Sequence, residues 1–401
     1  MVKIALLGFG VVGSGTAEVL TENKEIIKHK VGCDYEIKYI LDLRTFPDSP
    51  FADLIVHDIN IILNDPEVSV VAEMMGGSHP AYDFTKACLE AGKSVVTSNK
   101  EVVSTFGVEL CSIASQHGVR YLFEASVGGG IPIIRPLMND LSSNKVNCIN
   151  GILNGTTNYI LTAMRDNGAT FDDALKTAQK LGYAEANPSA DVDGIDAARK
   201  TAILAALASG KLIDPKTLHT EGITKITLEE TKLASSLGYS VKLIGHVEVK
   251  DGKIAALVSP RMVSHTNPLS RIDDVFNGVL VNANMVGDVM FYGPGAGKLP
   301  TASAVVADII DIIENRNADP KAIAWAKATD DDVIDFSSYA CRRMFIFKND
   351  GSALPTCAPC GKVYENDGLC ALITDGDISE LEVLDIAKAF GDTLCSVYRV
   401  L

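Results

Sequence analysis

The chain has 401 residues, 47% hydrophobic and 22% charged, which is ordinary for a globular protein and long enough for two or three domains. A formal net charge of −15 repels polyphosphate, so nucleic acid is excluded as an expected partner. No apolar run approaches the ~18 residues of a membrane span, the first residues do not read as a leader peptide, and nine scattered cysteines make an odd count for a disulfide framework. A cytoplasmic protein with no membrane contact is expected.

Residues 2–7 are a short apolar run that suits one buried parallel strand. The run leads directly into Gly8-Phe9-Gly10-Val11-Val12-Gly13, and a helical pattern follows. Strand, GxGxxG and helix in this order form the dinucleotide fingerprint. Gly8 permits the turn, Gly10 lets the backbone approach a pyrophosphate, and Gly13 lets the helix pack close to the strand. Glycines also mark ordinary turns, and it is the flanking strand and helix that make the pattern specific.

The second strand is expected at 37–41, ending at Asp42. A carboxylate there can bond the adenosine ribose hydroxyls and favours NAD, whereas Arg44 could pair with a 2′-phosphate and favour NADP. Both could equally be solvated loop charges, so the cofactor is NAD or NADP, with the balance toward NAD. Further strands are expected at 68–75, 94–97 and 119–124, with helices at 82–91 and 102–117. The pattern is a Rossmann-type doubly wound parallel sheet, whose ligands lie beyond the carboxyl ends of the strands. Gly76, Gly77, Ser98 and Lys100 fall at such ends.

Beyond the run Glu124 to Pro132 the pattern changes to an α+β region. A strand at 146–152 leads to Asn154-Gly155-Thr156-Thr157-Asn158 and a helix from Tyr159. Small polar residues at a helix start are usually caps, and they can also receive a carboxylate.

The segment 178–200 carries Glu185, Asp191, Asp193, Asp196 and Lys200. Asp196 and Lys200 are four apart on a helix and share one face. As surface residues they would form a routine ion pair. The helix that follows is almost wholly apolar, however, and a helix apolar all round is buried. A partly buried Lys–Asp pair suggests placement for a purpose.

This run resembles the signature of homoserine dehydrogenases, A-x3-G-[apolar]-[small]-x2-[Asp/Asn/Ser]-P-x2-D-[aliphatic]-x-G-x-D-x3-K. Ala178, Gly182, Tyr183, Ala184, Asn187, Pro188, Asp191, Val192, Gly194, Asp196 and Lys200 satisfy it. Gly8 to Gly13, Met75 to Gly77, Thr97 to Lys100, Glu124 to Pro132, Gly151 to Tyr159 and Gly293 to Asp308 are also similar to the family, so the likeness spans roughly residues 1–315.

The resemblance implies interconversion of L-homoserine and L-aspartate 4-semialdehyde. Lys200 would be the general acid/base, Lys100 would lie close beside it, and Asp196 would orient a lysine. Glu185 would take the substrate ammonium with help from Asp191, Gly155 and Thr156 the carboxylate, and Tyr183 would line the pocket. It also implies a monovalent cation, such as Na+, held by Glu124 and the carbonyls of Val127, Gly129 and Ile131. A homodimer or higher homo-oligomer is implied as well.

The glycine-rich run 293–303 reads either as a flexible connector or as a loop that closes on the nicotinamide side through Gly297, its helix at 304–313 completing the first domain. The expected division is 1–130 plus 296–315 for the dinucleotide, 131–295 for substrate and dimerisation, and 335–401 as a small C-terminal α/β module. Strands are expected at 342–348, 369–374 and 394–401, with a helix at 379–390. Many members of the family carry an ACT domain there that senses an end product such as threonine. This tail is shorter than a full ACT unit, either half an ACT-like module completed in a dimer or a divergent cap.

Cys357 and Cys360 form a CxxC, with Cys341 and Cys370 nearby. Four thiols can hold zinc, but a lone CxxC is more often a pair of plain loop cysteines. The competing reading of the whole chain is a non-catalytic dinucleotide sensor with this CxxC as redox output. Such a protein would not need the Asp196–Lys200 pair.

Overall fold

Six parallel strands open the structure: β1 Val2–Leu7, β2 Tyr35–Leu41, β3 Ile55–Val56, β4 Val68–Glu73, β5 Ser94–Thr97 and β6 Tyr121–Leu122. The computed structural model describes residues 1–321, 323–349, 351, 354–355, 359–366 and 368–401. The strands lie in the order β3-β2-β1-β4-β5-β6. The order reverses between β1 and β4, and that switch point is where open parallel sheets bind ligands.

The register aligns the carboxyl ends in one row. Leu7 pairs with Leu41 on one side and Glu73 on the other, and Glu73 pairs with Thr97. Gly8, Asp42, the 74–77 turn and Ser98 therefore leave the sheet along the same edge. Ile4 to Leu7 are fully buried, as a strand covered on both faces requires.

Val11–Glu22 covers one face and packs on the long helix Lys298–Glu314. Gly15 makes this possible, since a Cβ there would sit 2.8 Å from the Lys298 carbonyl oxygen. Residues 1–143, 202–215 and 293–327 form this first unit.

Several bounds differ from expectation. β4 ends at Glu73 rather than 75, and β6 is only two residues long, with Glu124 in a short 3₁₀ turn beyond it. The helix expected from 102 begins at Lys100, because Asn99 caps it. The helix expected at 304–313 begins at Lys298, since Pro300 is tolerated in a first turn.

The second unit comprises residues 144–201, 216–292 and 328–401. Its centre is a hairpin of two twelve-residue strands, Tyr239–Lys250 and Lys253–Ser264. The turn is Asp251-Gly252, both at positive φ (51° and 81°), as a two-residue hairpin turn needs. Val146–Ile152, Phe276–Ala283 and the edge strand Gly287–Pro294 extend the sheet on one side.

On the other side the C-terminal strand Leu394–Val400 runs parallel to Lys253–Ser264, pairing Arg399 with Arg261. Arg343–Lys348, Leu369–Thr374 and Gly361–Asn366 follow, the last a strand the sequence reading missed. The helix Glu380–Phe390 lies over Phe345, Phe347 and Leu372. The C-terminal segment is thus wired into the sheet. Arg399 bonds Glu221 at 2.8 Å and Glu380 at 2.7 Å, and Arg343 bonds Glu380 at 2.8 Å. Cys357 lies outside the described residues, and Cys360 is exposed.

The helix Ile195–Ser209 rests on this sheet at Gly245, where a Cβ would meet the Thr201 hydroxyl at 2.3 Å. Ala202 to Ala206 are buried as the apolar pattern requires, whereas Ile195 is exposed. The helix expected from Tyr159 begins at Gly155, because Asn154 caps it.

Candidate active site

The dinucleotide site is built at the β1–β4 switch. A Cβ on Gly13 would lie 2.0 Å from the Gly8 carbonyl oxygen, and Gly8 takes φ +89°. A Cβ on Gly10 would meet nothing within 4 Å, so the space beside it is open. Gly10 is also the N-cap of Val11–Glu22 and offers no capping side chain. Val11 is exposed there, while Val12 packs on the core. The loop therefore presents an open cradle and uncapped helix N–H groups, which fit a pyrophosphate.

Asp42 follows β2, and its Oδ2 accepts the Phe9 N–H at 2.8 Å. Arg44 grips the same carboxylate through Nε at 3.0 Å, Nη2 at 2.9 Å and its main-chain N–H at 2.9 Å. That grip holds the carboxyl down at about 2. The guanidinium also sits 5.0 Å from the Phe46 ring centroid.

Glu73, which the sequence reading passed over, ends β4 inside the sheet. Its carboxyl accepts from the Thr97 hydroxyl at 2.6 Å and the Met75 N–H at 2.7 Å. Burial raises it to about 7, against the hydrogen bonds of Thr97, Met75 and Asn99 that favour the ionised form. The Asn99 amide in turn ties down the carbonyls of Gly77 at 2.8 Å and Met75 at 3.2 Å, and its oxygen caps the helix that starts at Lys100. Ser98 donates its N–H to the Glu73 carbonyl. One buried network therefore fixes the Gly76-Gly77 turn and the root of Lys100. Lys100 itself is half-buried.

Glu124 is buried, and its carboxylate accepts three main-chain N–H groups, from Ile133, Ile134 and Arg135, at 2.7–2.8 Å. Asp308 takes the Glu124 N–H and the Arg135 guanidinium. Burial and the nearby Glu124 raise Asp308 to about 7. Among the described residues nothing donates to the main-chain oxygens of Val127, Gly129 and Ile131. Gly130 donates to the Pro294 carbonyl, and Gly129 lies against Gly295, so the glycine-rich loop that ends in Gly297 seats on this turn.

The lysine cluster lies in the second unit. Lys200 and Asp196 are 8% and 6% exposed, so the pair is buried as the apolar helix suggested. Lys200 Nζ donates to Asp196 Oδ2 at 2.8 Å and to the Leu153 carbonyl at 2.7 Å. Asn154 Nδ2 donates to Asp191 Oδ1 at 2.7 Å and Asp196 Oδ2 at 3.0 Å. Thr156 donates its hydroxyl to the Tyr183 carbonyl at 2.6 Å, tying the helix start to the signature loop. Tyr183 is exposed and packs edge-on to Tyr159, and Glu185 is exposed.

A buried lysine beside a carboxylate and a carbonyl, next to a helix start with small residues, is able to take or give a proton at a polar group. Residues 8–124 match the model "Homoserine dehydrogenase, NAD binding domain", and residues 132–310 match "Homoserine dehydrogenase". The chain belongs to the homoserine dehydrogenase family.

Homoserine dehydrogenase of a Synechocystis species is 43% identical over 323 residues, 78% of this chain and 73% of that protein. A homoserine dehydrogenase structure from Thiobacillus denitrificans superposes with a TM-score of 0.90 at 32% identity, covering 100% of this chain and 98% of that one. A hyperthermophilic archaeal homoserine dehydrogenase in complex with NADPH gives 0.67 at 29% identity, over 77% and 97% of the two chains. The protein is a homoserine dehydrogenase, an oxidoreductase acting on a CH–OH group with an NAD(P)-binding domain. No comparison supports the redox-sensor reading.

In this homoserine dehydrogenase the structure gathers Asp191, Asp196 and Lys200 and adds Asn154 and the Leu153 carbonyl. It leaves Glu185 and Tyr183 at the surface of their loop. Glu73 could have been found in the sequence, since a lone acid in the apolar run VSVVAEMM demands a reason. The Asn154 bridge could not, because its partners are 37 and 42 residues away.

Proposed function

We propose that Lys200 is the general acid/base in the interconversion of L-homoserine and L-aspartate 4-semialdehyde. In the oxidising direction the substrate hydroxyl gives its proton to the Lys200 amine as a hydride leaves the same carbon, and an aldehyde results. In reverse the Lys200 ammonium protonates the carbonyl oxygen. When bound, the cofactor supplies or accepts the hydride through its nicotinamide. The observation that carries this reading is the buried Lys200, held by Asp196 and the Leu153 carbonyl. Asp196 orients the amine, and the Asn154 N–H on the same Oδ2 limits how strongly it holds the proton.

By its likeness to the family, Lys100, rooted by the Asn99 cap, serves as a second cation in the reaction. The N–H groups of Gly155 and Thr156 suit the substrate carboxylate, for Asn154 takes only the Thr157 N–H of that turn. Glu185 and Asp191 serve the ammonium, and Tyr183 lines the pocket. The carbonyls of Val127, Gly129 and Ile131, with Glu124, suit a monovalent cation such as Na+ that would brace the turn.

NAD is the favoured cofactor in this reading, because Asp42 is pinned toward the ribose position and Arg44 is spent on it. The enzyme works as a homodimer in the cytoplasm. Support comes from exposed Met290 and Tyr292 on the edge strand and from eight described cysteines that are all unpaired. Among the described residues no helix is long and apolar enough to cross a membrane.

The test is absorbance at the reduced-nicotinamide band, with L-homoserine and either NAD or NADP, for wild type and Lys200→Ala. Loss of about a hundredfold or more in kcat is expected for the variant. Turnover at the wild-type rate would remove Lys200 from the chemistry.

A further inference from the structure

The helix Gly155–Asn167 needs an N-cap, and Asn154 provides one: its Oδ1 accepts the Thr157 N–H at 2.9 Å. Serine, threonine and aspartate cap about as well as asparagine. Capping therefore does not explain why an amide stands here. The other end of the side chain does.

Asn154 is 6% exposed, and Nδ2 uses both of its hydrogens on carboxylates from two separate segments. One goes to Asp191, in the short helix Ser189–Val192, and the other to Asp196, in the first turn of Ile195–Ser209. Two carboxylates drawn to one NH2 group would repel each other without donors between them. Asp196 Oδ2 is shared, receiving Asn154 Nδ2 at 3.0 Å and Lys200 Nζ at 2.8 Å. Lys200 also donates to the carbonyl of Leu153, the residue just before Asn154.

We infer that Asn154 is a positioning residue for Lys200: its amide locks the helix start that holds the Leu153 carbonyl to the carboxylate of Asp196, and so fixes two acceptors that aim the amine. The inference rests on the reading of Lys200 as acid/base. Its chemistry is twofold. The clamp sets the direction of Nζ, and the Asn154 N–H draws charge away from the oxygen that Lys200 binds, so the carboxylate holds the lysine proton less tightly. No other uncharged side chain of this size caps through an oxygen and donates twice.

Two variants separate this role from capping. Asn154→Ser keeps a cap acceptor and loses the amide. Asn154→Asp keeps the shape and the cap, loses both donors and adds a charge. For each, thermal midpoint, kcat, KM for homoserine and the pH profile of homoserine oxidation are measured beside wild type and Lys200→Ala.

The midpoint of at least one variant should stay within a few degrees of wild type, kcat should fall about ten- to a hundredfold, and KM should move less than about threefold. The limb of the profile that reports the free amine should move to higher pH, by about one unit or more in Asn154→Asp, because the carboxylates then grip the lysine proton harder.

A folded variant with wild-type kcat and an unmoved limb would reduce Asn154 to a helix cap and overturn the inference. Loss of fold in both variants would do the same, placing the residue in folding alone. If Lys200→Ala keeps full turnover, the failure lies in the acid/base reading and not in the Asn154 clamp.

Discussion

Replacing Glu73 by glutamine should change how stability depends on pH, and the size of the effect can be worked from its burial. The carboxyl sits at about 7 in the folded protein against 4.5 when solvated, chiefly because burial penalises the charge. Between these values the native state keeps a proton that the unfolded chain has released. Unfolding then frees a proton, so raising the pH favours unfolding. The stability Glu73 contributes is complete below 4.5, declines through 7 and is gone above it. At about 1.4 kcal/mol per pH unit the loss comes to about 3 kcal/mol.

Glutamine carries no titrating proton and can still accept the Met75 N–H. Other groups, Asp308 among them, are common to both proteins and cancel in the difference. The assay is urea unfolding at pH 5, 6, 7 and 8, followed by fluorescence. The chain has one tryptophan, Trp325, which packs 5.2 Å from Phe123 within the first unit, so the signal reports the unit that holds Glu73. The variant should gain on wild type by about 2–3 kcal/mol between the acid and the alkaline end of the series. Parallel curves would refute the argument and mean that the three donors, not burial, govern the group.

Gly13→Ala places a Cβ 2.0 Å from the Gly8 carbonyl oxygen, and backbone cannot yield cheaply, so NAD affinity should fall by tenfold or more in a fluorescence titration, with about 1–3 kcal/mol lost in stability. Asp42→Ala releases Arg44 and removes the ribose acceptor, so the NADP to NAD ratio of kcat/KM should rise by about an order of magnitude; an unchanged ratio would leave both as loop charges. Asp196→Ala takes a carboxylate away from a buried ammonium, and calorimetry should find the second unit destabilised by about 3–5 kcal/mol. Arg399→Met leaves Glu221 and Glu380 short of a partner and should cost a similar amount; a value near zero would mean that the C-terminal strand is only loosely attached.

Local chemistry was legible in the sequence. The strand, GxGxxG and helix order at residues 2–22 follows from steric demands within a dozen residues, and the structure keeps it. The i, i+4 spacing of Asp196 and Lys200 and the apolar helix after them announced a buried pair, since helical period and burial are both written locally. Helix starts were misjudged at Lys100, Gly155 and Lys298, because caps and a first-turn proline extend a helix beyond its apolar period.

Only the tertiary structure could decide the rest. Glu73 titrates far from its usual range because β1, β4 and β5 bury it together, and no single segment encodes that environment. Asn154 meets Asp191 and Asp196 through the packing of three helix starts. The C-terminal strand joins the second sheet through the Arg261–Arg399 register and the carboxylates of Glu221 and Glu380. Hydrogen bonds between distant segments leave no periodic trace in a chain, so they appear only once burial has made each polar group find a partner.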